Sequence, residues 1–266
     1  MNHTPDIIRP YALMDLDDTL FQTKRKLGDF DTQPLSVASV NKQGEPLSFF
    51  TAKQANFFHW LNQSTTLIPV TARDTTEIKR VKLPFYHHKV LTHGAVILDG
   101  RDKPNPTWQT HIKQHLLKQQ TQLQEIARLL DDINRFESKL IGTQALSITP
   151  HSDTFNGENL TIYLAVKHKQ KKHHFLETLA ISLPQQIPDG FYIHHNANNL
   201  AILPKAVHKC HAVEFLLQNV LNQDAATFGF GDSLADLPFL QLLDWYGAPN
   251  KGQLHDNFAQ FTGDNV

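Results

Sequence analysis

The chain has 266 residues, of which 40% are hydrophobic, and its formal net charge is −1. This length allows one or two domains with a sizeable core, and the near-neutral charge excludes a whole-protein field that would attract nucleic acid. The sequence contains no apolar run long enough to span a bilayer, no signal-peptide pattern at Met1–Thr4, and one cysteine, Cys210. We therefore expect a cytoplasmic protein that has no disulfide and no membrane or nucleic-acid partner.

The first informative stretch is the apolar run Tyr11–Met14, which is followed by the carboxylates Asp15 and Asp17. Such a run predicts a buried strand whose carboxyl end presents the chemistry. Residues two apart on a strand share a face, so both carboxylates can address one ligand. Two like charges this close are costly unless a cation or a shared proton offsets them. An exposed turn would be the alternative, but the pair is a candidate metal site.

The next segment predicts a hairpin, a helix and further strands. Two β-rich runs, 35–40 and 46–50, flank a short connection and predict a hairpin beside the carboxylates. Residues 51–61 have helical spacing and 66–70 predict a strand, which together indicate a βαβ-type unit. Asp74 and Glu77 have the spacing of a capping box, so we expect a helix to begin there. Two short strands, at 89–92 and 95–98, then lead to a strong turn signal at 99–102.

Residues 101–197 are predicted to form an inserted α+β domain. The segment and its continuation read as two blocks, each with one helix followed by two strands; the helices are at 111–136 and 170–183, and the strands at 145–149, 160–166, 191–194 and 200–203. Strands with one apolar face, backed by helices, predict a small antiparallel sheet.

After the insertion the chain returns to its first domain. An amphipathic helix is predicted at 209–221, a strand at 225–230 and an apolar helix at 237–243, and 245–250 ends the sheet. Strands separated by helices on both sides of the insertion predict a doubly wound parallel sheet. The predicted fold class is therefore α/β, with a catalytic core formed by residues 1–100 and 198–266.

Four landmarks occur in a definite order: Asp15-Leu16-Asp17, Val70-Thr71-Ala72-Arg73-Asp74, Lys209, and Gly231-Asp232-Ser233-Leu234-Ala235-Asp236. Together they resemble the signature of the haloacid dehalogenase-like (HAD) phosphatase superfamily, over nearly the whole chain. The segment 202–209 is similar to the Cof-type and sucrose-phosphate-phosphatase-like branch, which carries its lid between the threonine and lysine motifs. The resemblance implies a Rossmann-like core with a type-two cap.

The resemblance also implies catalytic roles. Asp15 would be the nucleophile that forms an aspartyl-phosphate, and Asp17 the acid that protonates the leaving oxygen and later deprotonates water. Thr71 and Lys209 would bind the phosphoryl oxygens, with Lys205 as the alternative lysine.

A magnesium ion is implied as the cofactor. Its ligands would be Asp15, the backbone carbonyl of Asp17 and Asp232, because Mg²⁺ prefers hard oxygen ligands. Asp236 would be either another ligand or a partner of the ligands.

The chain departs from the family pattern at Ala72, His93 and Ala235, which stand where glycine, asparagine and asparagine are usual. None of these changes removes a catalytic group. We expect a phosphatase acting on a small phosphorylated metabolite, with a sugar or polyol phosphate as the favoured class and the cap selecting it. A phosphomutase with the same aspartyl-phosphate chemistry and a catalytically silent binding protein of the same fold are the alternatives.

Overall fold

The computed structural model describes residues 8–27 and 36–263. It divides into two compact units: one contains the described residues up to Asn105 and from His208 onwards, and the other is Pro106–Val207. The insertion thus begins and ends later than the predicted 101–197. Residues 99–105 stay with the first unit because Asn105 N–H donates to Ile97 O. The strand Asn199–Pro204 belongs to the second unit because it pairs with Glu158–His168.

The central sheet of the first unit has four strands: β1 (Tyr11–Met14), β5 (Thr66–Pro69), β12 (Thr227–Phe230) and β13 (Trp245–Gly247). They lie in the order β13, β12, β1, β5, and every pair is parallel. The predicted parallel α/β sheet is therefore confirmed. Met14 lies beside both Pro69 and Phe230, so the segments that follow β1, β5 and β12 leave the sheet at one edge. Ala12, Leu13 and Met14 are fully buried, as expected for a central strand.

The predicted hairpin is formed by β3 (Ser36–Val40) and β4 (Pro46–Phe50), and β2 (Gln22–Thr23) pairs with the other side of β4. Leu35, its predicted first residue, lies outside the described residues, as does the segment Met1–Thr4. The short helix α1 (Lys24–Leu27) directly follows β2. Helix α2 (Ala52–Ser64) begins after Thr51, which forms a capping box with Gln54.

The prediction of a helix that begins at Asp74 is wrong in its extent. The capping-box bonds are present, since Asp74 Oδ1 accepts from Glu77 N–H at 2.7 Å and Glu77 Oε2 accepts from Asp74 N–H at 3.3 Å. However, only one 3₁₀ turn follows, Ile78–Arg80. The chain leaves this turn to pair with the hairpin, because Val81 bridges to Ser39. A local helix signal is thus overridden by sheet pairing.

Apart from α7, the remaining elements of the first unit follow the predicted order, with shorter strands and helices. They are β6 (Lys89–Leu91) and β7 (Val96–Leu98), which form an antiparallel pair, and α5 (Lys209–Asn219), α6 (Leu237–Leu240) and α7 (Gln253–Gly263). The sequence did not predict α7.

The second unit contains the two predicted blocks of helix, strand and strand. They are α3 (Pro106–Ile141), β8 (Leu146–Phe155) and β9 (Glu158–His168), then α4 (His173–Ser182), β10 (Phe191–Asn196) and β11 (Asn199–Pro204). The antiparallel sheet has the order β10, β11, β9, β8. The apolar face of this sheet packs against α3 and α4 in one buried cluster. Leu164 and Ile202 of the strands and Leu130 and Leu176 of the helices belong to it. No helix among the described residues is long and apolar enough to cross a membrane.

Candidate active site

Asp15 lies at the carboxyl end of β1, and backbone and side-chain contacts hold it there. Its N–H donates to Phe230 O at 3.0 Å, which continues the pairing of β1 with β12. The chain then turns back sharply, since Leu20 N–H donates to Leu16 O. This turn brings the Thr19 hydroxyl to Asp15 Oδ2, 3.1 Å away. Asp15 is only 5% exposed, so its charge needs partners inside the protein.

Asp17 is partly exposed and forms a two-bond ion pair with Arg73. Arg73 Nε and one terminal nitrogen each lie 2.7 Å from a different oxygen of the Asp17 carboxylate. The guanidinium also lies over the ring of Phe21, 5.3 Å from its centroid. Burial alone would lower the pKa of Arg73, but the bonds and charge of Asp17 outweigh it and raise that pKa. This fork-shaped contact fixes the direction of the Asp17 side chain.

Arg73 was not predicted to have a role in the site, although it lies within the second of the four landmarks. A signal was available, because Arg73 lies two residues after Thr71 at the end of β5, at the edge of the sheet where Asp15 and Asp17 follow β1.

Lys209 is the first residue of α5 and points its ammonium group into the carboxylates. Its Nζ donates to Asp15 Oδ1 at 2.7 Å and to Asp236 Oδ1 at 2.6 Å. The side chain is buried, which alone would lower its pKa, but the charges of Asp15 and Asp236 raise that pKa above its ordinary value. The alternative lysine, Lys205, is an exposed residue of the second unit. The geometry therefore favours Lys209.

Asp236 has both carboxylate oxygens occupied within the protein. Oδ1 accepts from Lys209, while Oδ2 accepts from the Ser233 hydroxyl at 2.7 Å and the Ser233 N–H at 3.1 Å. Gly231 makes room for it, because a Cβ there would lie 2.5 Å from Asp236 Cβ. Asp236 is 1% exposed. It therefore serves as the partner of Lys209 and of the turn after β12.

Asp232 differs from Asp236 because, within the part of the chain that the structure describes, no donor is found on its carboxylate. It is partly buried, and burial raises its pKa from 3.8 to about 7, with the charges of Asp236 and Asp18 adding to the effect. Such a group is costly to ionise unless a cation is near.

These carboxylates suit a hard cation. Oxygens of Asp15, Asp232 and Asp236 all lie within 4.8 Å of one another, which is the one such acidic group found among the described residues. An all-oxygen donor set is suitable for Mg²⁺. Asp236 accepts three hydrogen bonds from the protein and Asp15 accepts two, so Asp15 and Asp232 retain more acceptor capacity for a cation.

Thr71 lies at the same edge of the central sheet, two residues after the end of β5 at Pro69. Val70 N–H donates to Met14 O at 2.8 Å, which keeps this segment beside β1. Thr71 is 1% exposed, and its hydroxyl oxygen accepts from Arg73 N–H at 3.2 Å. The hydroxyl hydrogen can therefore be donated to a ligand.

A turn with unusual backbone angles connects Thr71 to the start of α5. Thr92, His93 and Gly94 have φ of 51°, 56° and 99°, all in the left-handed region. Two of their amides bond to the segment after β5, since Thr92 N–H donates to Arg73 O at 2.9 Å and His93 N–H donates to Thr71 O at 3.2 Å. A Cβ on Gly94 would lie 2.4 Å from His208 O, so only glycine allows this close approach to α5.

The family model of haloacid dehalogenase-like hydrolases matches residues 12–248. The chain therefore belongs to this family, and the expectation of a hydrolase from its sequence motifs is confirmed. No curated protein matches the sequence significantly.

Solved structures share the fold at low sequence identity. The sucrose-phosphatase from Synechocystis is 13% identical with a TM-score of 0.55, and the match covers 97% of this chain and 98% of that one. A haloacid dehalogenase-like hydrolase from Bacteroides thetaiotaomicron is 11% identical with a TM-score of 0.51, covering 96% and 100%. The C-terminal domain of C. albicans trehalose-6-phosphate phosphatase is 14% identical with a TM-score of 0.50, covering 97% and 78%.

Proposed function

We propose that the chain is a magnesium-dependent phosphatase that hydrolyses a small phosphorylated metabolite through an aspartyl-phosphate. The observation that carries this proposal is the buried Lys209, whose ammonium group joins Asp15 to Asp236 beside Asp232. Three carboxylates around one ammonium group leave an excess of negative charge. A phosphoryl group can approach them only if additional positive charge is present.

Asp15 is the nucleophile in this proposal. One of its carboxylate oxygens bonds to phosphorus while the bond from phosphorus to the leaving oxygen breaks, which releases an alcohol. Water then attacks the phosphorus of the aspartyl-phosphate, and the products are inorganic phosphate and free Asp15. Lys209 and Thr19 hold the carboxylate in one orientation, so the reacting oxygen does not have to be positioned during the reaction.

Asp17 transfers the protons. It gives one to the leaving oxygen in the first step and takes one from water in the second. The two-bond contact with Arg73 orients the Asp17 carboxylate, which is the group that takes the proton from water. We therefore propose that Arg73 positions Asp17 for the second step and that this pairing loosens in the first step.

Magnesium would be held by Asp15 and Asp232, and when bound it would supply positive charge for the phosphoryl oxygens. Thr71 and Lys209 would donate hydrogen bonds to the same oxygens.

A sugar or polyol phosphate is the proposed substrate. Two of the similar solved structures are named as a sucrose-phosphatase and a trehalose-6-phosphate phosphatase, and the sequence resembles the same branch. We propose that the second unit, which has its own core, selects the substrate, as the resemblance implies.

The first experiment measures release of inorganic phosphate from an aryl phosphate and from a panel of phosphorylated metabolites. We expect activity that requires Mg²⁺, vanishes with excess chelator and is abolished in Asp15→Asn. Full activity in chelator would refute the metal requirement. Efficient dephosphorylation of folded phosphoproteins would refute the substrate class. Phosphate transfer that depends on a bisphosphate, without phosphate release, would indicate a mutase.

The role of the second unit is tested by replacing residues 106–207 with a short linker. We expect the shortened protein to keep part of its activity on an aryl phosphate and to lose discrimination among metabolites, because remote contacts to the leaving group are removed. A folded variant that discriminated as well as the full chain would contradict this role.

A further inference from the structure

A cavity lies in the first unit near the carboxylates of the candidate site, which are not part of its lining. Its volume is ≈490 Å³, which is within the usual range for small-molecule sites. Its lining residues lie between β1 and the end of α1, at the start of α2, at the end of β12 and after β13. Asp15, Asp17, Asp232 and Lys209 are not among them. We call it the side cavity.

The side cavity combines an apolar wall with positive charge. Phe57 and Phe230 form the wall, with their rings edge to face at a centroid distance of 5.9 Å, and both remain partly exposed. Three lysines line the same space: Lys26, Lys53 and Lys251. Lys26 is paired with Asp18, and Lys251 also has an interaction of its own. The described lining residues include no aspartate or glutamate. This charge pattern occurs on a protein whose net charge is −1, so the positive charge is local.

We propose that the side cavity binds a small organic anion with a flat apolar body. The partly exposed rings offer an edge and a face to a flat ring, and an apolar molecule there would exclude water from both. The lysines would bind a sulfonate, carboxylate or phosphate group at the rim. A neutral molecule would lose the contact with the lysines, and a small inorganic anion would lose the contact with the aromatic rings.

The site is coupled by structure to the proposed catalytic residues. Thr19 lines the side cavity and also donates to Asp15, while Phe230 lies two residues before Asp232. A ligand there would therefore lie against a residue that orients Asp15. The inference goes beyond the proposed phosphatase function, because binding in the side cavity requires no turnover.

The test measures binding of 1-naphthalenesulfonate, which cannot be hydrolysed as a phosphate ester, to the full chain by calorimetry in the presence of chelator. The double variant Lys53→Gln and Lys251→Gln should bind about fivefold more weakly, since each exposed charge pair contributes modestly. The matched control is Lys42→Gln with Lys82→Gln, two exposed lysines outside the cavity, and its affinity should not change. Neutral 1-naphthalenemethanol should bind at least about tenfold more weakly than the sulfonate.

Equal affinity of the two double variants, or equal affinity for the neutral compound, would overturn the proposal. Displacement of the sulfonate by orthovanadate with Mg²⁺ would place it at Asp15 and also overturn it. Asp15→Asn should bind the sulfonate normally. Loss of phosphatase activity and loss of binding can thus be told apart, because the binding experiment contains no substrate.

Discussion

Replacing Asp232 with asparagine should stabilise the protein when no divalent cation is present. The pKa of Asp232 is raised from 3.8 to about 7, mainly by burial, so the folded state holds a proton that the unfolded state releases near pH 4. The stability associated with this proton is therefore present below pH 4 and is lost as the pH rises to about 7. At pH 8 the folded wild type bears the full free-energy cost of an ionised Asp232, and Asp232→Asn removes this cost.

The size of the effect follows from the same pKa. Each pH unit between the two pKa values corresponds to ~1.4 kcal/mol, which gives a ceiling of about 4 kcal/mol at pH 8. Solvent reaches part of the carboxylate and screens it, so we expect about half of this, or ~2 kcal/mol. For a chain of this size that is a rise in Tm of roughly 4–8 °C.

The assay is thermal unfolding of wild type and Asp232→Asn at pH 5 and pH 8, with chelator or with Mg²⁺. In chelator, the rise in Tm of Asp232→Asn over the wild type should be larger at pH 8 than at pH 5. With saturating Mg²⁺ the wild type should have the higher Tm, since the cation stabilises a folded state that retains the Asp232 ligand. Asp224→Asn, at an exposed aspartate, should change neither result. A lower Tm for Asp232→Asn at pH 8 in chelator would refute the reasoning.

Three further predictions concern the contacts around the proposed nucleophile. Arg73→Lys should lower kcat about tenfold with little change in KM, because one ammonium group cannot hold both oxygens of Asp17; an unchanged kcat would contradict the positioning role. Asp236→Asn should destabilise by about 3 kcal/mol, seen as a Tm lower by roughly 6–12 °C, and change the Mg²⁺ concentration for half-maximal activity less than tenfold; a larger shift would make it a direct ligand. Gly94→Ala should lower kcat at least about tenfold by displacing the start of α5, whereas Gly44→Ala, with φ of +84° and no atom within 4 Å of an added Cβ, should cost only about 1 kcal/mol and keep kcat.

The acidic residues of the candidate site could be located from sequence because of a property of parallel sheets. Strands that run in one direction end at one edge, so Asp15 after β1 and Asp232 after β12 had to come together once both strands were predicted. The difference between Asp232 and Asp236 could not be predicted. It depends on which carboxylate oxygens Lys209 and Ser233 occupy, and sequence spacing does not contain this information.

Other features could not be predicted because a distant segment decides them. Asp74 and Glu77 satisfy the local requirements for starting a helix, yet the chain soon leaves to pair with Ser39 of the hairpin. The position of Arg73, two residues after Thr71, places it at the correct edge of the sheet, but its two-bond contact with Asp17 depends on how both side chains are folded. Local signals are therefore reliable here where no competing long-range pairing exists.

The turn at Thr92, His93 and Gly94 shows how the fold makes the site rigid. Non-glycine residues in the left-handed region cost of order 1–3 kcal/mol each, and a β-branched threonine is among the least suited to it. Such strain persists only where surrounding bonds determine the conformation. Here the turn is bonded on one side to the segment of Thr71 and packed on the other against the residue before Lys209. The two proposed phosphate-binding residues, about 140 positions apart in the chain, are thus held by one strained connection, so a displacement of either would have to break this turn.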